Sequence, residues 1–543
     1  MKRKGQFSVR PTSIRMVLYA ALTAATFLVG TPAMAAITVP VMVDYFDTGA
    51  AGAANPQGVA QITSGALIGH FAVVDSTADE VYIFDPDGIL KSQFDTGALG
   101  STNPQGITYI SSGPYEGNFA LVDNSADKIF VVNTSGVLQK QCNTGGTGGF
   151  GSTNPTGITF IPSGPYAGNL AVVDPTSDTL YIVNFDCGLQ TSIPIGGFST
   201  NPADVAYASA TNYFAVLDGS TRNVTLIDTS GTVQEDFNVQ FVASTPTGLC
   251  YMPATGTFCV LDSNEDEVFI ISTESKFLSS FSTSLVGSTS PVGITYIPTT
   301  GNYAIVDDVG DEVFFVDSSG GLKGQCDISA FSNSPKDIAF LPSSGNFAIV
   351  DSSALEVFII DSSCNLQSRF DIQTFGISSS APTGIAYVPA TGDLAITDST
   401  RDAVLFVNPA RPGRLKSQLS TSAVAATSPS GVTFFPGATG HFAVVDSSAI
   451  IHEVSILNAN GSLMARFDTA EVLSATTPQG IAFNPTAEVL AIVDNTSDTV
   501  SFVSFPGLLD LPESCDCDLN KDGACNILDY QRFIQDWGRR DCP

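Results

Sequence analysis

Positive charge is scarce in this chain. Only 22 Lys and Arg stand against 53 Asp and Glu, for a formal net charge of −31 at pH 7. That balance argues against a binder of nucleic-acid backbones, whose affinity comes from cationic side chains. Histidine is nearly missing: His70, His441 and His452 are the full set, too few for a histidine-rich metal centre. No G-x-S-x-G elbow occurs, no histidine is paired with a nucleophile, and no cysteine is marked as activated. After residue 30 no apolar run approaches the ~18 residues of a membrane helix. What remains is an acidic chain with 43% apolar residues, ample for a packed core.

The first residues have a different character. "MKRKGQFSVRPTSIR" is basic, "MVLYAALTAATFLVG" is apolar but short, and "PAMAA" places Ala33 and Ala35 before Ala36. Residues 1–35 read as a secretory signal peptide. Lys2, Arg3, Lys4, Arg10 and Arg15 lie within it, so removing five positive charges from −31 leaves −36 on the mature chain. The expectation is a secreted, extracellular or cell-surface protein with no membrane span after cleavage. Its ten cysteines are then disulfide candidates.

Internal repetition sets the architecture. "NPQGVAQI", "NPQGITYI", "NPTGITFI", "NPADVAYA", "TPTGLCYM", "SPVGITYI", "SPKDIAFL", "APTGIAYV", "SPSGVTFF" and "TPQGIAFN" begin ten units, spaced 44 to 51 residues apart from Pro56 to Pro478. Each unit reads as four strands, called a to d here, joined by turns rich in Gly, Asn, Asp and Ser. Strands b and c ("NFAIVD", "EVFIID") are apolar on both faces and require cover on both. Strand d alternates, with Leu90, Ser92 and Phe94 on one side and Lys91 and Gln93 on the other, as an edge strand does. The expected fold is all-β, a β-propeller spanning residues 36–507. No linker separates units five and six, which points to one ten-bladed ring; two five-bladed rings are the alternative. The last unit lacks a strand d, and "VMVDYFDTGA" (41–50) matches strand d elsewhere, so the N-terminal strand is expected to complete the last blade.

The phrase P-x-G-I-x-[YF], followed by [AI]-V-D, V-x-[IV]-[DN] and G-x-L, resembles the NHL-like and YVTN-like propeller repeats. The resemblance spans residues 41 to about 505. It implies the fold and little about activity, because that family holds binding scaffolds, lactonases and lyases.

Strand b ends in aspartate in all ten units, from Asp75 to Asp494, and seven units carry a second aspartate four residues on. A ring of carboxylates would capture cations or a polyhydroxylated ligand. A feature present in every unit fits a turn-forming role better, since Asp accepts the N–H groups of its own turn. Asp308 and Asp311 beside Asp307 make the densest acidic turn. Among the cysteines, Cys250 and Cys259 are cross-strand neighbours and are expected to bridge. Cys142 and Cys326 replace the strand-d phenylalanine of units two and six. Cys187 and Cys364 lie in the c–d turn of units three and seven. Bridges 142–187 and 326–364 are one reading and four separate thiols the other, since the two positions lie about 20 Å apart along a strand.

The C-terminal residues, 508–543, break the pattern. "DLNKDGACNILD" fits the calcium loop of EF-hand type: Asp518, Asn520 and Asp522 as the first ligands, then Gly523 for the turn, the Ala524 carbonyl, Asn526 and Asp529. Ile527, Tyr530, Phe533, Ile534 and Trp537 recur at helical spacing after it. The module resembles dockerin, with one loop where dockerins carry two, and Cys515, Cys517, Cys525 and Cys542 surround it. Calcium is thus the expected cofactor. The resemblance implies attachment to a protein or cell-envelope partner. A carbohydrate or peptide is the expected class of ligand for the propeller. The functional expectation is a non-catalytic binding or scaffold protein. The alternative is a secreted metal-dependent hydrolase of lactonase or esterase type, or a lyase, with its site in the propeller channel.

Overall fold

The computed structural model describes residues 37–505, apart from 374–378, 410–413, 425, 436–439, 449–451 and 474. Residues 1–35, expected to be a signal peptide, and 508–543, expected to hold a calcium loop, lie outside the described residues. The fold is all-β and built from repeated four-stranded antiparallel sheets, a β-propeller architecture. Unit seven shows the pattern. Its strands Pro335–Leu341, Asn346–Asp351, Glu356–Ile360 and Leu366–Asp371 pair in sequence order. Ile338 lies opposite Ile349, and Ile349 opposite Phe358, so the middle of the sheet is apolar. The last strand is exposed along most of its length, as its alternation predicts. Asp361 shapes the c–d turn by accepting the N–H groups of Ser363 and Asn365, each at 2.9 Å.

Blade order departs from the favoured expectation. The first strands of units one to five abut in one closed cycle, and those of units six to ten in a second. There are two rings of five, not one of ten. Residues 41–47, expected to complete the last blade, instead complete unit five. Strand β1 (Ile37–Thr38) pairs with Lys276–Ser282, while β2 (Val41–Asp47) pairs with Glu267–Ser272 of unit five. The blade that ends in Thr499–Ser504 is completed by Lys276–Ser282. The chain therefore leaves ring one inside unit five, between its third and fourth strands. That explains why no linker is visible between units five and six.

Packing supplies the physical reason. A strand d in this fold offers one side chain, phenylalanine in most units, to the next blade. Phe46 of β2 meets Phe71 and Phe84 of unit one, with ring centroids 5.2 and 5.8 Å apart. Phe281 stands beside Phe502 of its own blade at 5.8 Å and packs with Tyr303 and Phe314 of unit six. Both strands carry the same pattern, so either could close either ring, and the choice was not readable from alternation alone. The apolar cluster joining units one and five holds Phe46, Val59, Phe71, Cys250 and Leu261, and the cluster joining six and ten holds Ile294, Tyr303, Val489 and Phe502.

The N-terminal segment ties the rings together. Val39 and Val41 are buried with units nine and ten, whereas Met42 is buried with units four and five. Met42 also pairs with Arg466, making one continuous eight-stranded sheet from units five and nine. The Lys276 ammonium donates to Thr38 Oγ1 and to Glu235 Oε1, both at 2.6 Å. Arg466 lies 4.0 Å from Glu453. Burial pushes the Glu453 carboxyl up to about 7, with Asp468 and Asp446 adding to the rise and Arg466 opposing it.

Two outcomes follow for this seam. Deleting residues 37–47 should uncover the edge of Glu267–Ser272 and unseal both rings, lowering the melting midpoint and raising hydrogen exchange at 267–272; unchanged exchange there would contradict the swap. The raised carboxyl is an acid that resists ionisation in the fold. Its favourable contribution is complete below about 4.5 and disappears as pH rises through about 7, a loss of about 3 kcal/mol. Urea midpoints across pH 4.5–8 should fall in the native protein and fall less in Glu453→Gln.

Candidate functional site

The ten strand-b aspartates are buried, and their oxygens are already engaged. Asp351 is typical. One carboxylate oxygen accepts Ser332 Oγ at 2.6 Å and the N–H groups of Asn333 and Ser334 at 3.1 and 3.0 Å. The other accepts the N–H groups of Ser353 and Ala354 at 2.8 and 2.7 Å. Burial raises this carboxyl, but donation from Ala354, Ser332 and Ser334 outweighs it and holds the group below the usual carboxylate range. The aspartate thus staples its own b–c turn to the loop that enters the blade. The second aspartates, Asp79, Asp127, Asp178, Asp266, Asp311, Asp402 and Asp498, all sit at positive φ between 46° and 56°. They fill the left-handed turn position that Asp tolerates. In the acidic turn of unit six Asp308 accepts Ser290 Oγ at 2.6 Å and the Lys336 ammonium at 2.9 Å, while one buried oxygen of Asp311 has no partner. The turn-forming reading of the strand-b aspartates holds.

The disulfides gain their geometry from blade stagger. A Cβ on Gly136, in the c–d turn of unit three's predecessor, would meet Phe94 of the preceding blade at 2.7 Å. The c–d turn of one blade therefore lies over the strand-d phenylalanine of the blade before it. Replace both partners by cysteine and they bridge. Cys142–Cys187 and Cys326–Cys364 do so with Cα atoms 5.8 and 5.9 Å apart, and Cys250–Cys259 joins neighbouring strands at 5.0 Å. Separation along one strand was the wrong measure for partners on two blades.

The channels are narrow. First strands have no further neighbour toward the axis, so main-chain edges line it. The ring-one channel holds a cavity of about 70 Å³ and the ring-two channel one of about 120 Å³, room for a few waters rather than an organic substrate. Hydroxyls reach across between blades: Thr108 Oγ1 accepts Phe160 N–H at 3.0 Å, and Thr295 Oγ1 accepts Phe340 N–H at 3.1 Å. Two carboxylates also sit here, Asp204 and Asp337, both fully buried. Burial pushes both well above the usual range, while main-chain N–H donors pull the other way. Sequence reasoning passed over them. Their signal was visible, because "NPAD" and "SPKD" put Asp where other units have Gly.

A larger cavity, of about 300 Å³, lies between units eight and nine. Phe406, Leu419, Phe434 and Phe442 line it together with Asp393 and Lys416. Asp393 is buried, and the Lys416 ammonium donates to its Oδ2 at 2.6 Å. The sequence-predicted calcium ligands Asp518, Asn520, Asp522, Ala524, Asn526 and Asp529 lie outside the described residues.

No known family matches the sequence, and no curated protein matches it. Solved structures do. A catalytically inactive virginiamycin B lyase from Staphylococcus aureus with quinupristin is 15% identical, covers 65% of this chain and 94% of its own, and has a TM-score of 0.27. A streptogramin B lyase is 15% identical, with coverages of 66% and 94% and a TM-score of 0.26. A Myxococcus xanthus glutaminyl cyclase is 12% identical, with coverages of 44% and 97% and a TM-score of 0.33. No activity is carried over from these likenesses.

Asp351→Ala should cost about 3 kcal/mol in urea unfolding, because several buried donors lose their acceptor at once. Asp351→Asn should recover part of it. A loss under about 0.5 kcal/mol, the surface norm, would contradict the stapling role.

Proposed function

We propose that this chain is an exported binding protein: a rigid twin-ring platform whose outer loops meet a ligand, held to a protein or cell-envelope partner by the calcium loop at 518–529. The observation that carries the platform half is the state of the axis. Channels of about 70 and 120 Å³ leave the rims and outer loops as the surfaces wide enough for a ligand. The strand-b aspartates that could have formed a cation ring are spent on their own turns. Three inter-strand or inter-blade disulfides fit an extracellular setting. The attachment half rests on the spacing of Asp518, Asn520, Asp522, Ala524, Asn526 and Asp529. Six oxygen ligands around one point suit calcium, and the apolar helical face carrying Phe533 and Trp537 would be the contact.

A second reading, a secreted lyase or hydrolase, has one observation in its favour. The cavity at Asp393 and Lys416 is of ligand size and joins an ion pair to an apolar wall. That site, not a channel, is where such chemistry would belong. Lactone or ester turnover by the native protein that disappears in Lys416→Ala would favour this reading over the first.

Calorimetric titration of the mature chain should show one calcium site, absent in the Asp518→Ala, Asp522→Ala variant. Retention on the envelope fraction should fall with chelator and with that variant. Retention that ignores both would sink the attachment role.

A further inference from the structure

Each ring breaks its repeat at its tightest point. Where strand a begins, four of the five units carry glycine: Gly58, Gly106, Gly157 and Gly248 in ring one, Gly293, Gly384, Gly431 and Gly480 in ring two. These glycines nearly touch. A Cβ on Gly58 would lie 2.8 Å from the Gly106 Cα, and one on Gly480 would lie 2.7 Å from the Gly293 Cα. The fifth position is Asp204 in one ring and Asp337 in the other. Each carboxylate reaches three consecutive blades. Asp204 accepts the N–H groups of Val205 and Leu249, both at 2.8 Å, and that of Ile158. Asp337 accepts those of Ile338 at 2.8 Å, Ile385 at 2.9 Å, and Ile294. Every one of these donors is the residue that follows the glycine position or the aspartate itself. Neither carboxylate belongs to an ion pair among the described residues. Main-chain N–H dipoles oppose the burial that pushes both carboxyls up.

Two rings built from different sequences thus hold the same arrangement. We propose that the axis of each ring is an anion-binding cup, built from the main-chain N–H groups that follow the glycine layer. It takes a small monovalent carboxylate, and the side chains of Asp204 and Asp337 fill it from within the chain. Converging main-chain N–H groups form concavities of this kind elsewhere in proteins, and charge-assisted acceptance by a carboxylate suits acceptor-only chemistry. The channel cavity opens onto the cup, since its walls include Ile158, Val205 and Leu249 in ring one and Ile294, Ile338 and Ile385 in ring two. An external anion therefore has a way in. The inference does not depend on what the outer loops bind.

Asp204→Gly installs the residue that four sister units already carry and empties the cup. Its melting midpoint should fall by about 2–4 °C. Sodium formate should then raise that midpoint saturably, as a ligand of the folded state does. The native protein should not respond at matched ionic strength. Equal stability of variant and native protein, or equal responses of both to formate, would overturn the proposal. Asp204→Asn fills the same volume without the charge and guards against a variant that does not fold. In it, hydrogen exchange should quicken in peptides holding Ile158, Val205 and Leu249 but not in those of ring two. Unchanged protection at those three would also overturn it.

Discussion

A sheet that is apolar on both faces must be covered twice, and that requirement governs this protein. Ile349, Val350, Val357 and Phe358 in unit seven are fully buried, although they lie on opposite faces of their sheet. A blade alone would leave one such layer in water, at roughly 25 cal/mol for each Å² exposed. Only a closed cycle gives every blade two neighbours. The number in the cycle then sets the hole. Five inner strands bring glycine Cα atoms almost into contact, whereas ten would leave an axis about twice as wide, with unpaired main-chain edges standing in bulk water. Close approach at the centre explains why the residue after P-x is so often glycine, and why a Cβ there would strike the next backbone at 2.4 to 3.1 Å.

Closure by exchange follows from the same requirement. Ring one lacks a fourth strand for unit five once the chain has left it, and β2 fills the gap. Ring two lacks a fourth strand for unit ten, and Lys276–Ser282 fills that gap. Each ring is sealed by a segment remote in sequence from the blade it completes. The seals are adjacent, since β1 lies against Lys276–Ser282 and β2 continues toward Arg466. Loss of one seal disturbs the other, so the two rings should unfold as one cooperative unit. The joined edges of units five and nine also remove two exposed strand edges. Remaining outer strands keep Lys91, Gln93, Gln139 and Lys140 along theirs, which discourages pairing with other chains.

Sequence made most of this legible at the level of the blade. The ten units, their four strands, the wet outer strand and the turn role of Asp351 could all be read from period and composition. The grouping into five and five could not. Strand pattern says which faces must be buried, and Phe46 and Phe281 satisfy the same slot equally well, so alternation does not say which blade receives which strand. Inter-blade bridges suffered from a related blindness. Distance along one strand is readable, but the stagger that sets the c–d turn over the preceding blade's phenylalanine is a property of two sheets. Asp204 and Asp337 were in plain view as departures from P-x-G, yet their meaning depends on convergence of five strands at an axis.

That convergence bears on where activity can reside. An enzyme built in a channel needs a wide axis and side chains that differ from blade to blade. Here the axis is lined by main chain, repeats almost blade by blade, and is interrupted once per ring by a carboxylate whose oxygens already accept N–H groups from three blades. Variation lies elsewhere: in the loops at the rims, in the Asp393–Lys416 cavity, and in turns such as the one holding Asp308 and Lys336. A repeat constrained so tightly at its centre leaves its outer loops free to differ, and free positions are the ones that specificity can use. The physical demand that closes the rings therefore also confines sequence variation to their rims.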